Sequence, residues 1–234
     1  MNPPFFRLAF DFSVKHLQNE LGVCEEAHWI SHYNRQDYAG SWSSISLRSA
    51  SGSSEDIGSF SDKTYIDTPL LEKCPYFREV TENFKCEKEA IRLLRLEPGS
   101  KIKEHTDPAA SYEEGFFRIH IPIRTNEQVI FRVNKELVPM KAGECWYANF
   151  ELPHSVENNS NVPRVHLVID CKRNEWSDKI FSNAGFDLSA VSERHLLDDK
   201  TKLLVIDELL RNPTETNLKI VARLRSEIGI TQKI

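Results

Sequence analysis

A mainly-β fold, a cupin-like double-sheet jelly roll, is predicted by three features of this sequence. Short runs of period-two apolar alternation recur from residue 90 to residue 170; Gly, Pro and Asn punctuate them at regular spacing; and helical periodicity is confined to the stretches before residue 89 and after residue 176. The expected organisation is a β domain over residues 1–176 with N-terminal helices, followed by a helical C-terminal extension over 177–234.

In chain order, residues 11–26 place Val14, Leu17 and Leu21 at helical spacing behind Asp11 or Ser13 as cap. Residues 41–47 alternate large apolar with small polar side chains and read as a strand with Trp42 on one face. Residues 49–67 are rich in Ser, Gly and Asp, too long for a simple turn, and expected to be either a lid over a pocket or flexible surface. Thr68-Pro69 has the cap-then-proline order that opens a helix, with Leu70, Cys74, Phe77, Val80 or Thr81, and Phe84 as its buried stripe.

From Ala90 the period becomes two. Strands are expected at 90–96 and 101–105 around a Pro98-Gly99 turn, then at 116–123. In the last of these Phe117, Ile119, Ile121 and Ile123 face one way, and Arg118 and His120 the other. Further strands are expected at 128–133, 136–140, 144–150 and 164–170, with turns at Asn134-Lys135 and Ala142-Gly143. In the extension, Leu203, Leu204, Ile206, Leu209 and Leu210 form one helical stripe ending at Asn212-Pro213. A second stripe, Leu218, Val221, Leu224, Arg225 and Ile228, ends at Gly229, and the pair is expected to cover a sheet face or make a homodimer contact.

Composition narrows the function classes. Hydrophobic residues at 40% and charged at 28% describe an ordinary soluble domain, and a net charge of -5 with scattered Lys and Arg gives no pull toward nucleic acid or an anionic membrane. The five cysteines are widely spaced and form no Cys-x-x-Cys pair, which predicts reduced thiols and a cytoplasmic location. No secretory leader or membrane-spanning run is read from the sequence.

The chemistry is expected to lie in His105-Thr106-Asp107, His154 and Arg164. On an extended segment His105 and Asp107 leave from the same face, as two ligands of one metal must. Two imidazoles and a carboxylate are the protein share of a non-haem Fe(II) oxygenase centre, which leaves three positions open for co-substrate and O2. His154 follows the strand at 144–150 and Pro153, where a loop can carry it across a barrel mouth, and Arg164 begins the next strand. Each alone has a plain structural explanation; their order on a predicted jelly roll favours a metal centre.

These residues carry a resemblance. Ile91-Arg92, Pro98-Gly99, His105-Thr106-Asp107, Arg118 to Pro122, Met140 to Trp146, His154 and Arg164 to Asp170, across about residues 38–175, resemble the aspartyl/asparaginyl β-hydroxylase family and within it the L-proline cis-4-hydroxylase branch. The resemblance implies a double-stranded β-helix and Fe(II)- and 2-oxoglutarate-dependent dioxygenase activity on an amino acid or amino-acid-like substrate. It implies His105, Asp107 and His154 as iron ligands, Arg164 on the 2-oxoglutarate C5 carboxylate and His120 against the same co-substrate. Arg118, Arg92 and Trp42 are the implied substrate contacts. Asp107 stands where the peptidyl aspartyl hydroxylases carry glycine, which aligns this chain with the full-triad branch. Rival readings are a hydroxylase of Asp or Asn side chains in a peptide or protein, a non-catalytic cupin-type binding module, and a zinc hydrolase, the last leaving the Arg164 spacing unexplained.

Overall fold

The structure, a computed structural model, describes residues 2–60, 63–189, 191 and 199–228. In chain order its elements are β1 (Phe5–Asp11), α1 (Val14–Glu25), β2 (Ile30–Ser31), β3 (Tyr38–Ala39), β4 (Trp42–Ser49) and β5 (Ile66–Asp67), then the short helices α2 (Pro69–Glu72) and α3 (Pro75–Glu82). The barrel strands follow: β6 (Lys88–Leu96), β7 (Lys101–His105), a 3-10 turn at Tyr112–Glu114, β8 (Phe116–Arg124), β9 (Val129–Val133), β10 (Glu136–Leu137), β11 (Glu144–Ala148), β12 (His154–Asn158) and β13 (Arg164–Lys172). Helices α4 (Glu175–Asn183), α5 (Asp199–Arg211) and α6 (Glu215–Glu227) close the chain.

The described strands form two antiparallel sheets, ordered β1-β11-β8-β13-β6-β4-β2, with β5 on β4, and β10-β9-β12-β7-β3. This is the expected jelly roll. Between the sheets lies an apolar layer that includes Trp42, Leu96, Ile102, Phe131, Trp146, Phe150 and Val156. The odd members of β8, from Phe117 to Ile123, are buried on the other face of the larger sheet. There α1 packs along β8, and Phe181 of α4 meets Phe117 with ring centroids 5.2 Å apart. Each such side chain removed from water contributes about 1.5–3 kcal/mol.

Ser13 caps α1 by accepting from the His16 amide, and Leu17 and Leu21 are fully buried beneath it. The single helix expected after Thr68 is two, with Leu71 rather than Leu70 buried in the first. Pro75 lacks the amide that would continue the turn, and Cys74 before it sits at φ -122, ψ 72. The carboxylate of Glu20 replaces a conventional cap, accepting from the Tyr76 and Phe77 amides at 2.6 Å each.

The longer strands β1 and β12 were not expected, nor were the two-residue β2, β3 and β5. β1 pairs with β11 from Phe5↔Ala148 onward, and only Leu8 of it is buried, so its apolar alternation is weak. β12 begins at His154 itself, which places His154 on a strand rather than in a loop. The turns hold as expected: Asn134 and Lys135 take positive φ values of 50° and 69°, and Gly143 has φ 81°.

The chain divides into two compact units, Met1–Leu188 and Ser189–Ile234. The first contains both sheets and continues through α4; in the second, α5 and α6 pack through Ile206, Val221 and Leu224. Leu203, Leu204, Leu210 and Leu218 of that helix pair are exposed, and the expected stop at Gly229 lies outside the described residues. Among the described residues no helix is long and apolar enough to cross a membrane.

Candidate metal centre

His105 and His154 lie directly opposite each other on β7 and β12, with ring centroids 4.2 Å apart. Asp107 follows β7 on a segment held by its amide, which donates to Phe150 O at 2.8 Å. One ligand atom from each of His105, Asp107 and His154 lies within 4.8 Å of the others.

The hydrogen bonds fix how these groups present themselves. His105 Nδ1 is 2.8 Å from Lys103 O and His154 Nδ1 is 3.0 Å from Leu152 O, in both cases the carbonyl two residues earlier. A carbonyl only accepts, so each Nδ1 carries the proton and each Nε2 keeps a lone pair for a metal. Burial, with His105 beside it, pushes the His154 imidazole down to about 4, leaving it neutral at physiological pH. Burial pushes the Asp107 carboxyl up, but Arg118, His154 and His105 outweigh it and hold it below its ordinary range. Arg118 Nη1 donates to Asp107 Oδ2 at 2.8 Å, which leaves Oδ1, 3.7 Å from His105 Nε2, as the free ligand oxygen. Protonation, tautomer and orientation all fit a divalent metal.

A cavity of about 680 Å³ opens from this triad between the sheets. At one end Arg164 is 2% exposed, with its guanidinium carbon 5.7 Å from the Phe131 ring centre and Nη2 2.8 Å from His166 Nδ1. No carboxylate pairs with it among the described residues, and its Nε has no partner. Burial pushes Arg164 down to about 9, so it is still a cation at neutral pH. His120 lines the cavity beside it, Nδ1 3.3 Å from His166 Nδ1 and Nε2 unpartnered, its imidazole held neutral first by burial and then by Arg164. An arginine buried without its anion, among neutral groups, is a site for an acidic ligand.

At the other end Arg118 and Arg92 converge on Asp170. Arg118 Nε is 2.6 Å from Asp170 Oδ1 and Arg92 Nη2 is 2.6 Å from Oδ2, which also accepts from Ser59 Oγ at 2.9 Å. Both arginines line the cavity but are partly neutralised; Arg92 Nε has no partner, and Arg118 also orients Asp107. Trp42 stacks on His32 at 3.5 Å between centroids, with its indole N–H unpartnered. The 49–67 loop supplies part of this wall: Ile57 O accepts from Arg92 Nη1 at 3.1 Å, and Ser59 binds Asp170.

All eight residues singled out in the sequence, His105, Asp107, His154, Arg164, His120, Arg118, Arg92 and Trp42, line this one cavity. Sequence reasoning passed over Asp170, His166, His32, Ser59 and Glu89. Asp170 and His166 share β13 parity with Arg164 and were findable by alternation. His32 follows the two-residue β2 and Ser59 sits in a loop, where no periodicity marks them.

The family model for aspartyl/asparaginyl beta-hydroxylase matches residues 12–174. An L-proline cis-4-hydroxylase from Rhizobium meliloti (strain 1021) is 29% identical over 196 residues, 82% of this chain and 68% of that protein. An L-proline cis-3-hydroxylase from Streptomyces is 26% identical over 142 residues, 56% of this chain and 47% of that protein. Among solved structures, a Pseudomonas putida prolyl-4-hydroxylase overlays 73% of this chain and 93% of its own at 11% identity, with a TM-score of 0.46.

Proposed function

The chain belongs to the aspartyl/asparaginyl β-hydroxylase family, and from that premise we propose that it is an Fe(II)- and 2-oxoglutarate-dependent dioxygenase hydroxylating an unactivated C–H of a free, proline-like amino acid. The observation that carries this reading is Arg164, a buried cation with no counter-ion among the described residues, in the same cavity as His105, Asp107 and His154.

His105 and His154 through Nε2, and Asp107 through Oδ1, would hold the iron. Arg164 would anchor the 2-oxoglutarate C5 carboxylate, its planar fork matched to two oxygens. His120 would contact the same co-substrate, with His166 fixing the position of both Arg164 and His120. Phe131, Phe150, Val156 and Ile102 give the site an apolar wall. Arg118 holds the second oxygen of Asp107 away from the ligand position. Arg92, Arg118 and the free Trp42 indole N–H offer donors to a substrate carboxylate. When bound, iron and 2-oxoglutarate supply the oxidising chemistry, in which O2 is consumed, succinate and CO2 are released and the substrate gains a hydroxyl.

A small substrate is favoured over a peptide because Ile57 and Ser59 of the 49–67 loop are tied to the cavity wall. A zinc hydrolase would leave the buried Arg164 cation without a purpose. The reading of the C-terminal helices as a homodimer contact rests on the exposed Leu203, Leu204, Leu210 and Leu218, and sedimentation of the full chain reads it directly. The test of the main reading is 2-oxoglutarate binding to the Fe(II)-loaded protein. Arg164→Ala should weaken it by roughly tenfold to a hundredfold, the cost of a lost charge-assisted pair. Equal affinity in wild type and variant would remove the support that Arg164 gives.

A further inference from the structure

We propose that Glu89 recognises the amino group of the substrate and so restricts the enzyme to free amino acids whose nitrogen is basic and unacylated. The inference rests on the function proposed above and extends it to a residue outside the metal and co-substrate sites.

Glu89 lies on β6 three residues before Arg92, so strict alternation would put it on the opposite face. It nevertheless lines the cavity with Arg92 and Leu94. The cause is a β-bulge: between Ile169↔Ile91 and Cys171↔Lys88, β6 spends one residue more than β13. That extra residue turns a carboxylate into the pocket.

The carboxylate then stands there without a donor. Glu89 is 3% exposed and makes no hydrogen bond among the described residues. Its nearest cation, Lys172 Nζ, is 3.9 Å away, 41% exposed, and already bonded to Glu87 Oε1 at 2.7 Å. Burial, and then Asp170, push the Glu89 carboxyl up, with Lys172 and Arg118 opposing them. A buried carboxylate whose one cation is too distant to donate a hydrogen bond is costly in the free protein, and a cationic N–H donor entering the cavity would relieve that cost.

An α-amino acid brings such a donor together with a carboxylate on one carbon. The wall displays the complementary pair on one strand, Glu89 for the nitrogen and Arg92 for the carboxylate. An amide nitrogen in a peptide carries no charge and cannot play this part. Asp170 has no such freedom, since Arg118, Arg92 and Ser59 already saturate it.

The experiment measures binding without turnover. The full chain, loaded with Fe(II) and 2-oxoglutarate in the absence of O2, is titrated calorimetrically with L-proline, N-acetyl-L-proline and tetrahydrofuran-2-carboxylate, for wild type, Glu89→Gln and Glu89→Asp. Wild type should prefer L-proline over both compounds, neither of which has a basic amine, by roughly tenfold or more, the worth of a charged hydrogen bond. Glu89→Gln should lose that preference to within about threefold, and Glu89→Asp should keep part of it. Glu89→Gln should also melt no lower than wild type, since it removes a charge that burial opposes; a structural role would lower the melting temperature. Wild type without a preference for the free amine, or Glu89→Gln with the preference intact, overturns the assignment, and the wild-type arm decides even where a variant fails to fold. Failure of the Fe(II)-protein to bind 2-oxoglutarate at all would overturn the proposed function, and this inference with it.

Discussion

Asp170 is fully buried and yet carries two arginines and a serine, which makes it the electrostatic hinge of the cavity wall. Burial pushes its carboxyl up, but Arg118 and Arg92 outweigh that and hold it below the ordinary 3.8. A depressed native-state value means the contribution to stability is complete above the unfolded-state value and is lost as pH falls through the native one. Acid unfolding below about pH 4 should therefore carry the protonation of Asp170. Asp170→Asn should cost about 3–5 kcal/mol at neutral pH, because it strands two buried cations, and should remove this part of the acid transition, both read from melting curves across pH. Arg118→Gln frees the second oxygen of Asp107 and should weaken Fe(II) affinity roughly tenfold to a hundredfold, measured by equilibrium dialysis. His105 and Asp107 were legible in the sequence because two ligands separated by one residue of extended chain share a face, although Asp107 lies just past the end of β7. Glu89 was not, because a bulge reverses parity and leaves no local mark in composition.

Among the elements, the strands flanked by Gly, Pro or Asn turns were legible, since alternation and punctuation agree there. β1 and β12 were not: β1 is fixed by its pairing with β11, and β12 is held between β9 and β7, neither of which is local information. The division of α2 from α3 follows from Pro75, and the Glu20 cap comes from a helix more than fifty residues earlier. Gly143 joins two of these elements. Its carbonyl accepts from the Phe12 amide at 2.9 Å, and an added Cβ would stand 2.5 Å from Phe12 O at a backbone φ of 81°. Gly143→Ala should therefore destabilise the first unit by about 1–3 kcal/mol. Hydrogen exchange should show the added opening concentrated in β1 and β11, while an unchanged melting curve would contradict the close approach.

For the whole molecule, every residue assigned to metal, co-substrate or substrate lies within the unit Met1–Leu188. A chain ended at Leu188 should consequently bind Fe(II) and 2-oxoglutarate as the full chain does, checked by calorimetry on both. The jelly roll could be read from the sequence because its strands repeat a local pattern, and His105 and Asp107 because they stand two apart on extended chain, whereas the charge network across β6, β8 and β13 needed the register of three strands. The measurement that bears most directly on the account is succinate and hydroxyproline formation by the purified full chain with Fe(II), 2-oxoglutarate, O2 and L-proline. The account predicts the two products in equal amounts, succinate release stimulated by L-proline, and loss of both in His105→Ala and Arg164→Ala. A protein that holds Fe(II) yet converts no 2-oxoglutarate in the presence of L-proline would contradict it.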